Sequence, residues 1–327
     1  MMKNLSVAVV LLTVGSATGV AQSSQCPSGL PLSVAQVTQD ACQKAVDLFQ
    51  YMAPQLGGAI TGGNATLGQG GSLGGLGHFS VGVRVNVLAG SIPQINDASA
   101  QPVFTGARST AFRTSDTPFP MPTADAAIGI FAGLPLGLTN VGGIDLLVSA
   151  SYIPNVEQDN VSVDADTPLK LGYGVRLSAL QESIVMPGVS LTYLRRDLPK
   201  LAMTGVAGLS TLNVDNFDEQ TTAWRIVASK SLIVFGVAVG YGQDKYESSA
   251  NASATASGVK SSPINVDQSI TRSNLFADLS LNFPIFKLIV EGGQLFGGAA
   301  PATVNTFTGK GIVDSRLYAS LGIRLGW

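Results

Sequence analysis

The chain is short of charge. Only 12% of its 327 residues are Asp, Glu, Lys or Arg, about half the share of an ordinary soluble domain. The net charge of −2 is too small to draw the protein to a polyanion, and no run of Lys or Arg forms a basic stripe, so nucleic acid is not an expected partner. Histidine is nearly missing too. His78 is the 1 copy, and with 2 cysteines it is too little to build a metal site. The same shortage argues against catalysis, because a hydrolytic site in a barrel needs a histidine beside an Asp, Ser or Asn. His78 stands just before the first strand, where a rim residue is the plainer role. No enzymatic activity, no catalytic residue, no metal and no cofactor is expected. Long apolar runs are absent as well: although 45% of the residues are hydrophobic, no stretch after the N-terminus reaches the 18 or so consecutive apolar residues of a membrane-spanning helix.

What is present begins with a leader. Met1-Met2-Lys3-Asn4 is a short basic region, Leu5 to Val14 a short apolar one, and Gly19-Val20-Ala21 supplies small residues for cleavage. Residues 1–21 are therefore expected to be a secretory signal peptide. Export makes the cysteines meaningful, since Cys26 and Cys42 both lie in the N-terminal segment. In an oxidising compartment they are expected to form a disulfide that staples the chain before a helix to that helix.

From Phe79 onward the apolar residues recur with period two. Phe79, Val81, Val83, Val85 and Val87 alternate with Ser80, Gly82, Arg84 and Asn86, the signature of a strand with one oily face. The pattern returns over 126–136, 144–153, 169–180, 188–196, 222–229, 232–243, 274–283, 286–294 and 315–327. Short connections fall at 138–143, around Pro187, at Lys230-Ser231 and at Pro284-Ile285. They alternate with long polar ones at 89–125, 154–168, 197–221, 244–273 and 295–314.

A soluble sandwich also alternates. Strands long enough to cross a tilted hydrocarbon layer, short turns at one end and long loops at the other, and an exported chain together point to the bacterial outer membrane. In lipid a sheet can span only when closed on itself, because no water is available to satisfy an open edge. The expected fold is an all-β transmembrane antiparallel barrel of about 10–14 strands, occupying 78–327, with its long loops outside and both ends in the periplasm. Ten strands satisfy that parity; 103–113 and 209–215 are the stretches that would raise the count. Outer-membrane lipid is the expected surrounding.

Ahead of the wall, residues 22–77 read differently. Ser33-Val34-Ala35-Gln36 makes a capping box for an amphipathic helix with Val34, Val37, Ala41, Ala45, Leu48 and Met52 on one stripe, and Pro54 is expected to end it. The glycine-dense run 57–77 leads into a strand and lacks a Lys-Ser/Thr ending, so flexibility or close packing explains it better than a phosphate loop. The helix is expected either to plug the lumen or to rest on the periplasmic rim. The order of "LFQYMAP", the Gly-rich run, "HFSVGVRVNV", "GYGVRL", "VMPGVSLTY", "TTAWRIVASKSL", "GVAVGYGQDKYE" and a C-terminal aromatic strand resembles a family of uncharacterised bacterial outer-membrane β-barrels. These in turn resemble the long-chain fatty acid outer-membrane transporter in carrying an N-terminal segment ahead of the wall. The resemblance covers most of the mature chain and implies a barrel that passes solutes, hydrophobic ones among them, although the transporter family has fourteen strands.

If the oily faces meet lipid, the other faces put Arg84, Asp145, Lys170, Arg176, Arg225, Asp278, Lys287, Glu291 and Arg324 in the lumen, since a charge on the lipid face costs about 2–4 kcal/mol near the midplane. Two outcomes are open: a polar lumen that favours anionic solutes, or a narrow barrel filled by Arg–carboxylate bridges. Acidic groups at Glu157, Asp159, Asp164 and Asp166, and at Asp215, Asp218 and Glu219, are expected to be solvated in outer loops. Trp224, Tyr173, Tyr193, Tyr241 and Phe283 fall on the lipid face, where an interfacial girdle would sit. In the closing strand Leu321, Ile323, Leu325 and Trp327 form a terminal apolar and aromatic signal for the barrel-assembly machinery. The expected function is passive diffusion of small solutes, hydrophobic ones included; the alternative is a non-conducting structural or surface-interaction barrel acting through its outer loops.

Overall fold

The computed structural model describes residues 25–26, 34–98, 107–153, 155–158 and 161–326. The leader, Ser33 of the capping box, Asp159, part of the 103–113 stretch and Trp327 lie outside them. Ten long strands run in chain order: β1 Phe79–Pro93, β2 Ala111–Phe131, β3 Gly143–Tyr152, β4 Leu169–Leu180, β5 Gly188–Asp197, β6 Ser210–Ser231, β7 Phe235–Ala256, β8 Ile264–Asn282, β9 Phe286–Phe296 and β10 Arg316–Gly326. Each pairs antiparallel with its neighbour in sequence. The ring closes where β1 meets β10, with Arg84 opposite Gly322 and Val87 opposite Ala319. The barrel is thus antiparallel and ten-stranded, at the low end of the expected range. The stretches 111–113 and 209–215 lengthen existing strands instead of adding new ones.

Burial alternates along every wall strand, as the pleat requires. The outward side chains near the short turns are apolar: Val83, Leu171, Val239, Leu279 and Ile323 are all exposed. Phenylalanines 79, 131, 235, 283 and 286 are exposed at the short-turn margin, and Tyr173, Tyr193 and Tyr241 on the far side of the apolar band, where Trp224 packs edge-on against Tyr241 at 5.9 Å. Leu321 and Ile323 point outward from β10 as well, with Leu325 half-buried beside them.

The strands are taller than a membrane. β6 and β7 have 22 residues each, about 70 Å at ~3.3 Å per residue, whereas about 9–11 tilted residues cross the hydrocarbon. Most of the segments expected as long loops at 197–221 and 244–273 are therefore strand. The reason is a reversal of pattern without a break in register. In the lower part of β7, Phe235, Val237, Val239 and Tyr241 face out and Gly236, Ala238, Gly240 and Gly242 face in. In the upper part the apolar residues Tyr246, Ala250, Ala252 and Ala254 face in, and Lys245, Glu247, Ser249 and Asn251 face out. Outside the lipid the usual rule of oily interior and wet exterior returns. Glu219, expected in a solvated loop, is consequently turned inward on β6 and fully buried.

The helix α1, Val34–Thr61, runs inside the ring from the long-loop end toward the middle, touching β6, β7, β1 and β2. It is enclosed on all sides, so Lys44, Asp47 and Gln50 are as buried as Ala45 and Phe49. Its polar groups find partners in the long loops: Asp47 accepts from the Asn305 backbone and side-chain amides, both at 2.7 Å, and Asp40 accepts from the Arg108 amide at 2.9 Å. Gln55 exchanges two hydrogen bonds with the backbone of Ser91. Cys26 and Cys42 form the expected disulfide, with Cα atoms 6.1 Å apart. At the long-loop end, Arg113 makes two contacts to Asp97 through its side chain and one through its amide, which holds the Asp97 carboxyl below its ordinary range.

Pro54 was expected to end the helix, yet it lies inside. A proline removes the N–H that would bond the carbonyl four residues back, here Gln50. That carbonyl is met from the wall by Gln268 Nε2 at 3.2 Å. Replacing Gln268 by Leu leaves a buried carbonyl without a donor and should destabilise the helix by about 1–3 kcal/mol; hydrogen exchange of amides 50–58 in the detergent-solubilised barrel should rise accordingly, with amides in β1 unchanged.

Candidate functional site

The last helical turn ends in a cluster of cations. A helix C-terminus presents carbonyls with no intrahelical partner and the negative end of the helix dipole. Here Thr61 Oγ1 donates to Gly57 O and Gly58 O from within the helix, and the wall supplies donors to the carbonyls beyond. Asn86 Nδ2 reaches Ala59 O at 2.7 Å, Arg196 Nη1 reaches Thr61 O at 2.6 Å, and Arg225 bonds Gly62 O and Gly63 O, each at 3.1 Å. Arg84 Nη1 takes Asn64 O at 2.7 Å. The three arginines are themselves balanced by acids on the same inner face: Arg225 by Asp244 at 2.5 Å, and Arg84 and Arg196 by the shared Asp125 at 3.0 and 2.9 Å. Ions this buried hold their charge only when paired and hydrogen-bonded.

Beyond Gly62, whose φ of +57° lets the chain turn out of the helix, residues 63–77 thread the lower bore. Their amides meet carboxylates and hydroxyls. Glu291 accepts from Gly63 N at 3.2 Å and Asn64 N at 2.6 Å; Asp278 accepts from Asn64 Nδ2 and Gly68 N, both at 2.8 Å. Ser229 Oγ takes Gly70 N, Ser178 Oγ takes Ser72 N, and Asp145, paired with Arg176 at 2.8 Å, takes Leu73 N. Arg324 donates to Leu67 O. A Cβ on Gly63 would lie 2.5 Å from both Glu291 Oε2 and Tyr318 Oη, so any larger residue there would push the clamp's own side chains aside. The Gly-rich run is closely packed and stitched to the wall, the second of the two uses expected for it.

The charged side chains assigned to the lumen by parity all stand on the inner faces of their strands. Arg84, Asp145, Arg225, Asp278, Glu291 and Arg324 touch the N-terminal segment directly, and Arg176 acts through Asp145. Lys170 and Lys287 are only half-buried and join neither the clamp nor an ion pair among the described residues. Arg196, Asp125, Asp244 and Asn274 belong to the clamp but were not singled out. Asp125 and Asp244 sat in segments taken for loops. Arg196 follows Arg195, and of two adjacent strand residues one must face in.

No known family and no curated protein matches the chain. Solved structures do. The outer membrane protease OmpT from Escherichia coli matches with a TM-score of 0.40 and 6% identity, over 76% of this chain and 96% of that one. The Ralstonia pickettii toluene transporter TbuX gives 0.35 and 10%, over 82% and 92%, and the Pseudomonas putida toluene transporter TodX gives 0.28 and 9%, over 80% and 96%. None of the three is the fatty acid transporter. The chain's own closed antiparallel ring and outward apolar belt make it an outer-membrane β-barrel. One expectation is corrected: a protease stands among these matches beside the channels, so the exclusion of enzymatic activity drawn from the scarcity of histidine is withdrawn.

Removing Arg225 strands Asp244, a buried acid whose other bonds are with Asn274 and Tyr246 at 3.1 and 3.3 Å. Arg225→Met should cost about 3–5 kcal/mol and should deprotect the amides of 62–64 in hydrogen exchange, whereas Lys170→Gln should leave both stability and exchange unchanged.

Proposed function

We propose that the protein passes small solutes, hydrophobic ones among them, by passive diffusion through its bore once the N-terminal segment moves aside. The observation that carries this reading is how that segment is held. Its disulfide joins Cys26 to Cys42, plug to plug, and no covalent bond other than the chain itself at His78-Phe79 ties it to the wall. From the last helical turn on the hold is polar: side chains of the wall grip the backbone of 59–73, and those hydrogen bonds can let go and reform with water. The upper bore supports apolar cargo. Leu88, Phe112, Leu212, Phe217, Val266 and Leu295 face inward there and pack the helix in the closed state. With the helix displaced, the same side chains line an oily passage above a charged constriction.

A second reading has an observation of its own. The thread is bonded to the wall from Ala59 to Leu73, which would suit a sealed, structural barrel. Planar-bilayer recording separates the two. The wild-type protein should show infrequent conductance steps, and Asp278→Asn with Glu291→Gln, which weaken the grip on amides 63, 64 and 68, should make them at least several-fold more frequent. An engineered disulfide between helix and wall should abolish them. Silence in the wild type and in the double variant would establish the sealed barrel instead.

A further inference from the structure

At the short-turn end of the bore lies a cavity of about 520 Å³ bounded by Ser72, His78, Glu182, Phe286, Lys287 and Arg324, within the size range of small-molecule sites. Its two cations are placed in an unusual way. Lys287 on β9 and Arg324 on β10 are direct partners in the strand register, and both side chains reach the cavity. Like charges directly opposite each other destabilise a sheet, so an anion between them would relieve a standing repulsion.

Glu182 attracts both cations and Asp278 attracts Arg324, but among the described residues neither cation reaches an acid at ion-pair distance. Glu182, the acid on the cavity wall, has both oxygens committed: one accepts from the Ser231 amide and the other from Ser229 Oγ at 3.0 Å. Asp278, the next acid along the bore, accepts from Asn64 and Gly68 through one oxygen, and its other oxygen reaches no donor, Arg324 included; Asp145 is paired with Arg176. Lys230 is tied to the turn carbonyls of Ser183, Ile184 and Met186 and neutralises nothing here. Arg324 uses one nitrogen on Leu67 O, which leaves the rest of its planar fork for a second acceptor. A guanidinium fork beside an ammonium is a donor set suited to phosphate oxygens. The adjacent turn adds an apolar flank, with the rings of Phe283 and Phe286 stacked at 4.6 Å.

We propose that this cavity binds an organic phosphate, its oxygens held between Lys287 and Arg324 and its carbon portion against the Phe283–Phe286 turn. The site does not depend on solute passage. It stands at the short-turn rim of the bore, and the phosphate has two candidate sources, a lipid headgroup and a soluble phosphate ester.

Titration calorimetry on the purified barrel in an uncharged detergent tests this with two probes, glycerol 3-phosphate and short-chain phosphatidylglycerol. Saturable binding of one or both is expected, and the probe that binds more tightly identifies the source. Lys287→Gln should weaken that binding by about tenfold or more, the worth of one charge-assisted hydrogen bond, Lys287→Arg should keep it, and Glu182→Gln should strengthen it by removing the acid from the wall. Circular dichroism and unfolding midpoints of each variant report whether the barrel is intact. Failure of the wild type to bind either probe, or equal affinity in folded Lys287→Gln and wild type, overturns the proposal.

Discussion

A backbone immersed in hydrocarbon has no solvent to bond, and each unpaired N–H or C=O there costs several kcal/mol. Closure of the sheet at the β1–β10 seam answers that constraint for the wall, and it sets the problem for everything inside. Ten strands enclose a narrow bore, and this chain fills it with its own first segment. A glycine-rich thread brings into that bore many backbone groups that form neither helix nor sheet. The clamp is the reply: guanidinium groups for carbonyls, carboxylates and hydroxyls for amides, each delivered from the strand face that lipid leaves free. The arginines are there because a helix ends in front of them, and the acids beside them are there because the arginines are buried.

Much of this was legible from alternation alone. Where lipid lies outside, hydropathy and facing are the same variable, so the strands from Phe79 to Val87 and from Leu169 to Leu180, and the inward charges Arg84, Arg176 and Glu291, could be read directly. Above the lipid the variable changes sign. Ala250, Ala252 and Ala254 carry on the inward parity of Gly240 and Gly242, but the apolar residues have passed from odd to even positions, and a reader tracking oiliness sees a strand stop. Asp244 stands at that crossing, and with it half of the Arg225 pair was hidden. Pro54 misled for a related reason. Its effect on a helix is local and well known, whereas its remedy, Gln268, lies more than two hundred residues away.

The bore divides into two chemistries. Its upper part is packed apolar against apolar, helix against inward alanines, leucines and phenylalanines. Its lower part, although Leu147, Val227 and Ile289 also turn inward there, holds the chain chiefly by directed polar bonds. The two halves resist change differently: the apolar part tolerates sliding, since dispersion contacts reform after a small displacement, while the polar part keeps register, since each bond has one partner at one distance. A plug built this way is positioned by its lower half and sealed by its upper half.

The proline in α1 also makes the helix dependent on the wall. A helix that lacks one of its own hydrogen bonds and obtains it from β8 is not a finished helix until β8 stands beside it, and the same holds for the carbonyls at its end that wait for β1, β5 and β6. The segment that precedes the wall in sequence thus depends on the wall for its completion, and the closed sheet is the mould that fits it.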